Sequence, residues 1–139
     1  MKFLKYHLPF LLWLIIIFIE SSFPADVYPK IEIWSSDKIV HMGVYGLLTA
    51  LCYISLIHQD KFPFLLKHAL LFSVIISSLY GASDEFHQLF VLYRDCEFWD
   101  WLANFAGAVI MALFIKYYLR KSFKLFNKHR IESSVSNHL

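Results

Sequence analysis

Charge is scarce in this chain: Asp, Glu, Lys and Arg make up 17% of its 139 residues, against 58% hydrophobic residues. A soluble domain of this length needs a larger polar fraction to cover its surface, so an ordinary soluble fold is excluded. The net charge is only +2. No basic stripe with interleaved aromatics lies outside the apolar runs, apart from the C-terminal tail, so nucleic acid is excluded as a partner. There is no glycine-rich phosphate loop, nucleotide fingerprint or HExxH helix, and no internal repeat or low-complexity segment. The two cysteines sit in different settings, Cys52 inside an apolar run and Cys96 in a polar connection. A disulfide needs α-carbons within about 7 Å, which different membrane depths prevent. Both therefore read as free thiols, and their spacing carries no metal signature. Neither a cofactor nor a bound metal is expected.

What the chain has instead is long apolar runs alternating with short segments that hold nearly all the charge. Four runs, at about 6–19, 39–57, 64–80 and 101–119, each approach the roughly 20 residues that cross a hydrocarbon core of about 30 Å. Only helices satisfy their backbone hydrogen bonds within one segment in lipid. The first run could pass for a signal peptide, because Lys2 and Lys5 precede it. The following Glu20-Ser21-Ser22-Phe23-Pro24 offers no clean small-x-small cleavage site, so a retained helix is expected. Trp34, Tyr80, Trp99, Trp101, Tyr117 and Tyr118 crowd the expected interfaces as an aromatic belt.

The expected fold is thus an all-α integral membrane protein, a bundle of four transmembrane helices within residues 1–126. Lys2, Lys5, Lys61, Lys67, Lys116, Arg120, Lys121, Lys124, Lys128 and Arg130 fall on one side of the membrane, and only Lys30, Lys38 and Arg94 on the other. This asymmetry places both termini in the cytoplasm and predicts a multi-pass protein of the cytoplasmic (inner) membrane. The basic stretch from Lys116 to Arg130 suits contact with anionic lipid headgroups. Residues 127–139 read as a polar, disordered cytoplasmic tail.

Three polar segments interrupt this pattern, all at span ends predicted to face outside. Asp37, His41 and Tyr45 are spaced four apart, which stacks an acid, an imidazole and a phenol on one helix face. Asp37 could also simply cap the helix. Gly81-Ala82-Ser83-Asp84-Glu85-Phe86-His87-Gln88 closes the third span, and Asp84, His87 and Gln88 cluster on one side if the helix persists. Ionisable residues at membrane depth are costly and usually face the bundle interior in pairs. Asp100, Asn104 and Gly107 share a face entering the fourth span, and Gly107 would let another helix approach closely. Arg94, the only arginine on that side, could pair with Asp84, Glu85 or Asp100, or clamp an anionic ligand. Glu20, just past the first span, is a weaker addition.

Taken together and in order, these residues resemble the VanZ-like family. Its pattern is matched by Asp37-Lys38-Ile39-Val40-His41, by Asp84-Glu85-Phe86-His87-Gln88, and by Arg94, Asp100, Asn104 and Gly107. Ser21-Ser22-Phe23-Pro24 is similar to the family's Ser-Ser-x-Pro. One departure is visible: Leu92-Tyr93 stands before Arg94 where members often carry Pro-Gly. The family is named after an accessory protein of glycopeptide resistance linked to reduced susceptibility to teicoplanin, so the resemblance implies a membrane protein of the cell envelope.

Two functions remain open on these residues. In the first, Asp37, Tyr45, Gln88, Arg94, Asp100 and Asn104 bind an envelope or lipid-linked component at the outer leaflet, the bilayer being the other partner. In the second, a membrane-embedded hydrolase or transferase acts on such a substrate, with His41 and His87 as acid and base assisted by Asp84 or Glu85. A transport role is disfavoured, since the midplane lacks paired charges and no repeated halves or broken helices are visible.

Overall fold

The computed structural model describes residues 1, 3–24 and 34–136, and side chains at 1, 3–24 and 37–121. Lys2 and Lys30, and the side chains of Trp34, Lys124, Lys128 and Arg130, which entered the charge and interface arguments, lie outside what is described. The described chain is all-helical: a π-helical turn Phe3–His7, then α1 (Leu8–Ser21), α2 (Trp34–Ile57), α3 (Pro63–Lys67), α4 (Ala69–Gln88) and α5 (Phe98–Ser136). Four stretches are long and apolar enough to cross a membrane: Phe3–Ser21, Asp37–Ile57, Ala69–Gln88 and Phe98–Lys121.

Element bounds differ from the sequence expectation for local reasons. Pro9 is the second residue of α1 and can neither donate an N–H nor tolerate the carbonyl four residues back. The turn before it is accordingly wound in π geometry. The third span was expected from residue 64. Instead Pro63 opens a five-residue helix that ends at His68 (φ −112°, ψ 24°), and the crossing helix starts at Ala69. That displacement carries α4 through Gln88, so the second polar segment lies wholly on helix. α5 begins three residues early, at Phe98, and its backbone stays helical to Ser136. The backbone of residues 127–136 belongs to this same helix.

The packing is inside-out relative to a soluble bundle. Large apolar side chains such as Leu12, Ile15, Leu71, Leu79, Ile110 and Leu113 point outward, where lipid solvates them. The interior holds small and polar residues: Thr49, Ser73, Ser77, Asn104 and Ala108 are wholly buried. Between helices in lipid, close backbone approach and interhelical hydrogen bonds replace the hydrophobic effect as the source of association. α2 and α5 make the most extensive contact, followed by α4 with each of them.

α1 sits against this triad through directed bonds. The Trp13 Nε1–H donates to the Val44 carbonyl at 3.1 Å, and the Tyr80 hydroxyl donates to the Leu14 carbonyl at 2.7 Å. His7 Nδ1 meets Ser55 Oγ at 2.7 Å near the opposite end. Trp101 donates to the Ser78 carbonyl at 3.2 Å, tying α5 to α4. Tyr80 and Trp101, expected in the interfacial belt, therefore use their polar atoms to join helices.

The closest approach is at Gly107. A Cβ there would overlap the Met42 carbonyl oxygen and lie 2.7 Å from the Met42 Cα. These are backbone atoms, which cannot swing aside. Gly107→Ala must therefore push α5 away from α2, costing about 1–3 kcal/mol. Gly43→Ala, whose Cβ would meet nothing within 4 Å, should stay within about 0.5 kcal/mol of the parent. Thermal or chemical unfolding in detergent micelles distinguishes the two.

Candidate functional site

The end of the bundle formed by the C-terminal turns of α1 and α4 and the N-terminal turns of α2 and α5 gathers the polar residues. On α2, the four-residue spacing gives each side chain its own neighbour. Asp37 lies in the first turn rather than at a cap, where the helix dipole favours a carboxylate. His41, one turn deeper, places Nδ1 2.9 Å from Asn104 Oδ1 of α5. Tyr45, one turn deeper again and buried, donates its hydroxyl to Asp84 Oδ2 of α4 at 3.1 Å.

On α4 the inward stripe is Ser73, Ser77, Gly81, Asp84, Glu85 and Gln88, all buried. Gly81 leaves room for both neighbours, because a Cβ would press to 3.2 Å from the Tyr45 ring and 3.3 Å from Asn104. Glu85 Oε2 accepts the Glu97 backbone N–H at 3.3 Å. On α5, Asp100 lies in the first turn and is buried, and Asn104 is wholly buried one turn later.

Lys38 ties the mouth of this cluster together. Its ammonium contacts Asp100, and reaches Glu97 Oε2 at 3.1 Å and Asp37 Oδ2 at 3.5 Å. It carries one positive charge among several carboxylates. The site as a whole is rich in acid, with Asp37, Asp84, Glu85, Glu97 and Asp100 around Lys38 and His41. Such a cluster suits hydroxyl, amide, amine or cationic groups better than phosphate.

Of the residues singled out in the sequence, Asp37, His41, Tyr45, Asp84, Glu85, Gln88, Asp100 and Asn104 converge on this end of the triad. His87 does not join them: its ring packs on Phe18 at 4.8 Å between centroids, and Nε2 lies 3.1 Å from Ser22 Oγ. It thus docks α4 on the end of α1. Arg94 donates from Nε to the Phe23 carbonyl at 3.2 Å and from Nη2 to the Glu20 carbonyl at 3.5 Å. The guanidinium therefore fastens the turn after α4 to carbonyls at and just past the end of α1.

Lys38 and Glu97 were not singled out as site residues. Lys38 stood inside the Asp-Lys-x-x-His segment and could have been read there. Glu97 gave no periodic signal, because it precedes α5. The Ser73-Ser77-Gly81 spacing of four was a legible sign of a small-residue interface that ran into Asp84 and Glu85.

The turn after α4 contains Tyr93 at φ 60°, a left-handed conformation that costs an ordinary L-residue about 1–2 kcal/mol. It is the position where the resemblance expects glycine. Tyr93 thus takes the left-handed conformation itself, and Arg94 reaches α1 despite the departure. Tyr93→Gly should raise stability by about 1 kcal/mol, measured as an upward shift of the melting midpoint in micelles; an unchanged or lowered midpoint would contradict strain at this residue.

A sequence model of the family described as VanZ/LLP1 matches residues 6–121, most of the chain. No curated protein and no solved structure matches it.

Proposed function

The chain belongs to the VanZ/LLP1 family, and we propose that it binds the sugar, peptide or amine-bearing part of an envelope or lipid-linked component between α2, α4 and α5. The lysine and arginine asymmetry supports placing that site at the outer leaflet of the cytoplasmic membrane, with both termini inside. A link to glycopeptide (teicoplanin) susceptibility would then run through the bound envelope component.

One observation carries this reading. Glu85 Oε1, Asn104 Nδ2 and Ser77 Oγ are buried without a hydrogen-bond partner among the described residues. If the cluster were architecture alone, lipid would penalise each of these orphaned atoms, and a purely structural network would close on itself. An acceptor on α4 and a donor on α5, both left open in this cluster, match a ligand that both donates and accepts, as a hydroxyl or an amide does.

The enzymatic alternative through His41 and His87 acting as a pair lacks such support. His41 is held by Asn104 between Asp37 and Asp100, while His87 is engaged with Ser22 and Phe18.

Native mass spectrometry of the protein extracted from its own membrane tests the binding reading. The wild type should carry a lipid-linked glycan or peptide adduct. Asn104→Asp and Glu85→Gln, which keep an acceptor for His41 and for the Glu97 N–H while changing the open atom, should each lower its occupancy about tenfold or more in protein that stays folded, the cost of one buried hydrogen bond to ligand. A wild type without adduct, or variants with undiminished occupancy, would refute it.

A further inference from the structure

We propose that Asp37, His41 and Asp100 form a binding site for a divalent first-row metal ion, Zn²⁺ or Mn²⁺, at the mouth of the polar cluster. Asp37 Oδ1 lies 3.6 Å and Asp100 Oδ2 3.9 Å from His41 Nε2, and one ligand atom from each of the three residues falls within 4.8 Å of the others. Ligands held about 2.1 Å from a common ion are about 3.0–3.4 Å apart at octahedral to tetrahedral angles. Small side-chain rotations of the two aspartates close that difference, and Asp37 is free to make them, its side chain being 60% exposed. One imidazole with two carboxylates is a donor set suited to these ions.

The partners of these three side chains point the same way. His41 Nδ1 meets Asn104 Oδ1 at 2.9 Å; an amide oxygen there accepts from Nδ1–H, which leaves Nε2, facing the two carboxylates, as the ring nitrogen able to bind a metal. An unprotonated Nε2 facing carboxylate oxygens is stabilised by a cation held between them. Fixing a ligand imidazole by hydrogen-bonding its other nitrogen is the usual arrangement behind metal-bound histidine. The oxygens are also divided: Asp100 Oδ1 and Asp37 Oδ2 face Lys38, leaving Asp100 Oδ2 and Asp37 Oδ1 toward His41. Lys38 keeps Glu97 at 3.1 Å as a separate partner, so the ammonium and a metal ion can coexist while competing for the same negative charge. The competing occupant of the space beside Nε2 is a proton, which leaves an ion-paired imidazolium and no metal affinity. This site stands whether or not an envelope component binds deeper in the bundle.

The experiment uses the full chain, purified in micelles without a polyhistidine tag and stripped with chelator. Zn²⁺, Mn²⁺ and Co²⁺ are then titrated, with bound metal counted by elemental analysis and Co²⁺ followed by its visible absorption. Wild type should take up one equivalent and show Co²⁺ bands of a nitrogen–oxygen site. Asp37→Asn, at an exposed position that leaves the fold intact, and His41→Gln should each weaken uptake about tenfold or more. Lys38→Gln should tighten it, because a competing positive charge is gone. A folded wild type that takes up no metal, or uptake that Asp37→Asn and His41→Gln leave unchanged, overturns the proposal.

Discussion

The approach of α5 to α2 at Gly107 is the constraint on which the rest of the structure depends. With no side chain between it and the Met42 backbone, α5 comes close enough for short polar side chains to reach across. His41 then meets Asn104, and Lys38 meets Asp100, each pair one to two turns toward the same end of the bundle. A wider separation would leave these groups facing lipid alone, at several kcal/mol each. Gly46 of α2 lies at the same contact, where a Cβ would meet the Gly107 carbonyl and the Met111 side chain at ordinary van der Waals distance.

From that contact follows the division of labour among the helices. α2 supplies three polar side chains on successive turns, and each finds a different partner: solvent and Lys38 for Asp37, α5 for His41, α4 for Tyr45. α4 fits the cleft because its inward face is serine and glycine until the last turns, where it becomes Asp84, Glu85 and Gln88. α1 is peripheral, burying only Ile17 and Ser21. It is held by Trp13, Tyr80, His87 and Arg94, whose hydrogen bonds run to or from its termini and flank. The apolar surface that would form the core of a soluble protein is turned to lipid, and the interior is where the chemistry can be kept.

Much of this was legible in the residues. The four spans follow from run length, and the shared faces of Asp37/His41/Tyr45 and of Asp100/Asn104/Gly107 follow from the helical repeat. What escaped the sequence depends on how helices meet. Three-residue spacing put His87 with Asp84, but a helix offers two flanks to such a pair, and only packing decided that His87 faces α1. The pairing of Arg94 with backbone carbonyls was invisible, since carbonyls carry no letter in a sequence. The break at His68 and the π-turn before Pro9 reflect local backbone accommodation. The metal-ligating geometry joins residues 37, 41 and 100, which no local motif connects.

The α2–α5 register is testable without reference to any ligand. A Cβ at position 46 would stand 3.9 Å from the Met111 Cβ, within the range of about 3.5–4.5 Å that a disulfide requires. In a chain whose Cys52 and Cys96 have been replaced by alanine, Gly46→Cys with Met111→Cys should oxidise to an intramolecular disulfide in native membranes, read by loss of thiol labelling. Gly46→Cys with Leu113→Cys should remain reduced, because residue 113 points outward. If the first pair stays open to labelling, or the second closes equally well, α2 and α5 do not meet in this register, and the polar site built on their contact does not exist.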